Sequence, residues 1–171
     1  MSVEFVKVGP EAAELMAATR QKVWLTTYRG IYKDSKLDFY DIGFYTRRDR
    51  KRMEDPAQTF ILAMDGDACV GYFHYGPPHI PPYKDFVLCL NSLYFLSEYR
   101  GQGLGRRAFA HLRQVCAERG LTKFFCQCNC HNYPAQKFYE KMGGILTVCD
   151  DGHADKGDDQ LTYEFYLGEN I

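Results

Sequence analysis

A chain of 171 residues, 46% of them hydrophobic, fits one domain with a substantial core. Lys+Arg 21 against Asp+Glu 22 leaves a net charge of -1, which favours neither wholesale nucleic-acid binding nor attachment to an anionic membrane. No apolar stretch reaches the ~20 residues of a membrane span, and Met1-Ser2-Val3-Glu4 carries no basic-then-apolar leader, so a cytoplasmic protein is expected. Seven cysteines, an odd number lying mostly inside apolar runs, read as reduced thiols rather than a disulfide scaffold.

Val3 to Val8 reads as a short strand, and Pro10 begins a helix whose Ala12, Leu15, Met16, Thr19 and Val23 recur at helical spacing. From Tyr28 to Asp55, aromatics (Tyr28, Tyr32, Phe39, Tyr40, Phe44, Tyr45) mix with charges, which fits short helices broken at Gly30 and Gly43. Arg47, Arg48, Arg50, Lys51 and Arg52 form a basic run offset by Asp49, Glu54 and Asp55, and read as a solvated helix face rather than a nucleic-acid patch. Exposed aromatics on these helices would suit either an acceptor pocket or a homodimer, and monomer and homodimer both stay open.

Phe60 to Met64 and Cys69 to Tyr75 flank Asp65-Gly66-Asp67 as the two strands of a hairpin, and Gly76 to Pro82, with Ile80 inside it, is a stiff proline-rich loop. Phe86 to Leu96 is a third strand-like run, ending at a glycine turn. Leu104, Ala108, Leu112, Val115 and Cys116 then mark a half-buried helix that Gly120 closes. A strand from Thr122 to Asn129, a helix from Pro134 to Met142, and strands from Ile145 to Val148 and Gln160 to Leu167 follow. Successive strands, then strand-helix-strand-helix and a closing hairpin, predict an α+β fold: one mixed sheet with helices on its faces. Cys126, Cys128, Cys130 and His131 resemble metal ligands, but alternate strand residues sit ~6.6 Å apart against ~3.8 Å for thiolates sharing a zinc, so no metal is expected.

The turn Arg100-Gly101-Gln102-Gly103-Leu104-Gly105 carries most of the functional information. Three glycines in five positions clear side chains from a backbone that must approach a ligand, and a helix beginning there points unpaired N–H groups and a positive dipole end at that ligand. A phosphorylated cofactor is the expected occupant, held by N–H groups from Gln102 to Arg106, with Arg100, Arg106 or Arg107 adding charge. Gly103 to Ala108 also satisfies the loose dinucleotide fingerprint G-x-G-x-x-A. A dinucleotide fold would want an acidic residue ~20 positions on, whereas Lys123 to Tyr139 contains no Asp or Glu. No Gly-Lys-Ser or Gly-Lys-Thr is present to make a P-loop.

Read as R-x-x-G-x-G after a strand carrying Leu93-Tyr94-Phe95, the turn resembles the acetyl-CoA pyrophosphate loop of the GNAT acetyltransferase superfamily. Asn132-x-x-Ala135-x-x-Phe138-Tyr139-x-x-x-Gly143 resembles that family's second motif, one helix and one strand later. The resemblance runs well from about Phe60 to Leu167, and Tyr28-Arg29-Gly30-Ile31 is similar to the acceptor-side helices of some members. It implies a single N-acetyltransferase domain over residues 1–171: acceptor-side strand and helices in 1–57, and an acetyl-CoA-binding core in 58–171. The sheet would have about seven strands, mostly antiparallel, splayed at the cofactor site, with helices on both faces. It further implies that Leu93, Tyr94 and Phe95 pair with the pantetheine amides and that Asn132, otherwise an ordinary helix N-cap, touches the cofactor. Tyr139, by residue type a core aromatic, would protonate the departing thiolate. A phenol near pKa ~10 and a thiol near ~8.5 make that transfer cost only about 2 kcal/mol.

The implied reaction is direct attack of a neutral primary amine of a small molecule on the thioester, without a metal. Departures from the family pattern concern the proton acceptor and one packing position. Where a Glu is often found stand Cys89, Asn91 and Ser92, leaving His74, Glu98 or a water chain ordered by Asn91 or Ser92, and Gly144 replaces a usual aromatic. Asp150, Asp151, Asp155, Asp158 and Asp159 form an acidic loop that would attract a polyamine-like acceptor, though such a run is also an ordinary solvated turn. A peptide N-terminus or lysine as acceptor, and a non-catalytic acyl-CoA-binding module, are the alternatives.

Overall fold

Alternation along the strands gives the sheet two apolar faces, each covered by helices, in a computed structural model that describes residues 3–79 and 81–168. Met1, Ser2 and Ile80, which the expectations above include, lie outside the described residues. Phe60, Leu62 and Tyr72 turn to one face and pack with Ala13, Met16 and Met53. Their neighbours Ile61, Phe73 and Tyr75 turn to the other and pack with Ala108, Phe109, Leu112 and Tyr139. Helices α1 (Ala13–Thr27) and α3 (Ile42–Met53) thus cover one side, and α4 (Leu104–Glu118) and α5 (Tyr133–Lys141) the other; a short α2 (Asp34–Asp38) joins the first pair.

The strands are β1 (Glu4–Val8), β2 (Thr59–Asp65), β3 (Ala68–Gly76), β4 (Cys89–Phe95), β5 (Lys123–Asn129), β6 (Ile145–Asp150) and β7 (Gln160–Tyr166), in the spatial order β1-β2-β3-β4-β5-β7-β6. Every neighbouring pair is antiparallel except β4–β5, which is parallel. That pair is brief: only Cys89↔Phe125 and Leu90↔Cys126 face each other. Against β3, Tyr75 faces Leu90 and His74 faces Ser92, so Asn91 is the extra residue of a bulge. The bulge bends β4 where it leaves β5, and both strands present unpaired edges beyond it. This is the open, splayed α+β sheet expected.

Two boundaries and the burial of the early aromatics differ from expectation. Gly43 lies in the first turn of α3 instead of breaking a helix; the break is at Asp41, whose side chain caps α3 by accepting the Phe44 N–H. Phe86 to Leu88 precede β4: Phe86 packs on Phe125 and Cys89, Val87 is exposed, and Leu88 packs in the main core. Of the early aromatics, Tyr28 and Tyr40 are buried and cluster with Trp24 and the half-buried Tyr32 and Tyr45, while Phe39 and Phe44 stay exposed.

The segment between β3 and β4 is held against β7 by Glu164, which is 1% exposed and accepts from Tyr83 Oη at 2.7 Å, Tyr166 Oη at 2.5 Å and the Lys84 ammonium. Burial alone would raise this carboxyl, but the donors, Lys84 foremost, hold it at about 2. A folded-state value below the unfolded one stabilises at neutral pH and is lost as pH falls from about 4 through about 2. Glu164→Gln should therefore lower denaturant stability at neutral pH, with the gap narrowing in acid. An unchanged gap at about pH 3 would contradict this.

Candidate active site

The splay opens a cavity of about 440 Å³ between the second half of β4, the start of α4, β5 and α5. Its lining includes Leu93, Tyr94, Phe95, Arg100, Gly101, Gly103, Leu104, Gly105, Arg106, Asn132 and Tyr139. Gln102 and Arg107, though also singled out from sequence, stay off this wall: Gln102 is exposed and donates to Glu98 O at 2.9 Å.

The glycine turn is built for an anion at the α4 N-terminus. Gly101 (φ 75°) and Gly103 (φ 83°) occupy the left-handed region, and Gly103 is the N-cap without any side-chain cap. The bond from Arg107 N to Gly103 O closes the first helical turn, so the N–H groups of Leu104, Gly105 and Arg106 have no helical acceptor. No acidic residue lies in that turn to compete. Gly105 serves a different purpose from the other two: a Cβ there would sit 2.7 Å from the Phe138 ring, so its role is close packing of α4 on α5.

The arginines divide likewise. Arg100 donates to Phe95 O at 3.0 Å and to Thr27 Oγ1 at 2.8 Å, tying the turn to β4 and to α1. Arg107 donates to Val3 O at 2.8 Å and covers the Phe5 ring, facing β1 rather than the cavity. Arg106 lines the cavity as well, beside Arg100 and Lys141. Asn132 caps α5 by accepting the Ala135 N–H at 3.3 Å, and also lines the cavity.

Tyr139 is 6% exposed among Phe109, Phe138, Tyr163 and Phe165, yet it reaches the cavity. Burial raises its phenol well above the usual value, with Cys126, Cys128 and Tyr94 adding to the shift. It is therefore a neutral donor, and a weaker acid than an unperturbed phenol; the about 2 kcal/mol inferred from reference values holds only if the thiolate beside it is desolvated as well. Gly144 is explained by the same packing, since a Cβ there would lie 2.8 Å from Phe165.

A second cavity of about 240 Å³ adjoins the first, sharing Leu90, Asn91, Ser92, Tyr94 and Gln127 where β4 and β5 part. Its other walls are Arg20 and Trp24 of α1, Arg48 and Arg52 of α3, and Tyr72, His74, His79 and Cys89. His74 Nδ1 lies 2.7 Å from Ser92 Oγ and its Nε2 2.9 Å from His79 Nε2, while its ring stacks on Phe60. Burial, then the nearby His79 and arginines, keeps His74 well below the usual histidine value, and burial with Arg52 and Arg48 brings His79 to about 4. Both rings are thus neutral at physiological pH. Glu98 lines neither cavity and accepts from Ser97 Oγ instead.

Sequence reasoning did not place Arg20, Trp24, Arg48, Arg52, Tyr72 or His79 at a site. The signal available was the four-residue spacing of Arg48 and Arg52, which puts both on one face of α3. The acidic loop, by contrast, lines neither cavity: Asp155 pairs with Lys33, and Asp159 with His131 and His153. Cys126 and Cys128 are buried in the core, and among the described residues no group of three or more His, Cys, Asp or Glu converges as metal ligands would. Nor, among them, is any helix long and apolar enough to cross a membrane.

The acetyltransferase (GNAT) family profile matches residues 22–144. No curated protein matches the chain. Among solved structures, it is similar to PaiA N-acetyltransferase from Thermoplasma acidophilum in complex with coenzyme A, with a TM-score of 0.79 at 19% identity over 98% of this chain and 100% of that one. It is also similar to yncA from Salmonella typhimurium, solved with its cofactor acetyl-CoA, at 0.69 and 15% over 99% and 96%. An aminoglycoside 6'-acetyltransferase type Ii aligns at 0.65 and 18% over 98% and 99%.

Proposed function

The chain belongs to the GNAT acetyltransferase family, and on that premise we propose that it moves an acetyl group from acetyl-CoA to the primary amine of a small molecule by direct attack. The observation that carries this reading is one shared space: the uncapped start of α4, the unpaired edge of β4 and the Tyr139 phenol all open on the same cavity. Those groups suit coenzyme A, with a pyrophosphate on the N–H groups of Leu104 to Arg106 and amides along Leu93 to Phe95. Residues 58–171 would hold the cosubstrate and residues 1–57 would supply the acceptor-side strand and helices. A cavity of about 240 Å³, below the ~300–1,000 Å³ typical of drug-sized ligands, favours a small acceptor over a peptide. Seven cysteines and no disulfide fit a reducing, cytoplasmic setting.

In the proposed chemistry a backbone N–H of β4 stabilises the oxyanion and Tyr139 gives its proton to the leaving thiolate. The proton of the incoming amine leaves through Ser92, His74 and His79, a hydrogen-bonded chain from the cavity junction to the outer wall. Neutral rings are the form such a relay needs. His74→Gln should lower kcat by about tenfold, water partly replacing the imidazole, with CoA affinity unchanged; an unaltered kcat would remove the relay. The function itself is tested by thiol release from acetyl-CoA over a panel of amines. Amine-dependent release is expected, and tight CoA binding with no release for any amine would instead mean a non-catalytic acyl-CoA-binding module.

A further inference from the structure

The acceptor-side cavity holds more positive charge than a simple amine would tolerate. Three guanidinium groups line it, from Arg20, Arg48 and Arg52. One carboxylate answers them: Asp49 binds Arg20 through Oδ2 at 2.5 Å and Arg48 through Oδ1 at 3.0 Å, so both its oxygens are engaged. Arg20 is further fixed by donating to Tyr72 Oη at 2.8 Å. Arg52 forms no ion pair among the described residues, and both burial and Arg48 weaken its hold on its proton. Arg48 and Arg52 stand four apart on α3, a spacing at which like charges destabilise a helix.

An independent observation points the same way. Trp24, 8% exposed, lines this cavity, and its buried indole N–H has no hydrogen-bond partner. Such an orphan donor costs about 1–3 kcal/mol unless something accepts from it. The histidines bring no negative charge. The cavity therefore carries surplus cations and a surplus donor, and no Asp or Glu lines its wall.

We propose that the acceptor is an amine that also bears an oxyanion, a carboxylate or a phosphate, bound by Arg52 and Arg48. The planar guanidinium fork suits either anion. Binding there leaves the amine free to reach Ser92 and the junction with the cosubstrate cavity. A polyamine would instead bring more positive charge to uncompensated arginines, and the aspartates of the β6–β7 loop are not on the wall to offset it. The proposal rests on the acetyltransferase reading of the site.

The test measures kcat/KM by CoA thiol release, with product masses, for free amino acids against their amides, phosphoethanolamine against ethanolamine, and putrescine and spermidine. Acceptors bearing an oxyanion should exceed their neutral counterparts by about 10², and comparison of the two pairs tells carboxylate from phosphate. Arg52→Gln, at a half-buried position without an ion pair, should shrink that preference by about tenfold. Amides, ethanolamine or polyamines acetylated as well as the anionic amines, or an unchanged preference in Arg52→Gln, would overturn the proposal while leaving the acetyltransferase reading intact. No thiol release with any amine of the panel, CoA still binding, would overturn that reading and the proposal together.

Discussion

A Gly103→Val variant is expected to fold and to lose measurable CoA binding. Gly103 sits at φ 83°, and a Cβ built there meets no protein atom within 4 Å. A valine would therefore not clash with its neighbours; it would project into open space beside the free N–H groups of α4. Two effects combine. A β-branched residue in the left-handed region is strained by about 1–2 kcal/mol, so the turn drifts toward another conformation and the N–H groups lose their common aim. The isopropyl group also stands near the place an anion would occupy. Calorimetric titration with CoA, alongside thermal unfolding of the same variant, separates lost binding from lost folding. Ordinary affinity in a folded Gly103→Val protein would reject the turn as a pyrophosphate site.

Tyr139→Phe is expected to lower turnover by on the order of 10², within the span of general-acid effects, while CoA affinity stays nearly intact. The ring contributes packing against Phe109, Tyr163 and Phe165, all of which a phenylalanine preserves. What is lost is the hydroxyl, and its role as a donor depends on its remaining protonated. Burial ensures that, because desolvation raises the phenol well above its usual value. The same desolvation makes it a reluctant acid in isolation. Proton transfer stays feasible because a thiolate expelled into the same low-dielectric space is equally short of solvation, so the two proton affinities rise together. A loss of kcat with unchanged KM for acetyl-CoA is the signature of an interaction made only in the transition state. Unchanged turnover would remove Tyr139 from the mechanism.

Much of the fold was legible because its signals are local. The hairpin around Gly66, the helix opened by the glycine turn and the strand-helix succession from Lys123 onward all follow from spacing and turn residues. Much of the lining of the larger cavity was legible for the same reason, since those residues lie in two short motifs. The acceptor side was not. Its walls come from α1, α3, β3 and the segment carrying His79, and only the folded sheet brings Trp24, Arg52, His74 and His79 together. Arg48 and Arg52 belong to a basic run that looks solvated until α3 is laid against α1, and Trp24 looks like any core aromatic until its indole is found without a partner. The bulge at Asn91, on which the splay depends, has no glycine or proline to announce it.

Direct transfer has one further support in the thiols. Burial pushes Cys89 and Cys128 up to about 12 and Cys126 well above the usual thiol value, so none beside the cavities offers a thiolate that could be acetylated first. The measurement that tests this most directly is an initial-rate study varying acetyl-CoA and amine together, paired with the mass of the enzyme after acetyl-CoA alone. Attack by the amine on the bound thioester predicts intersecting double-reciprocal lines and an unmodified enzyme. Parallel lines with an acetylated protein would contradict it.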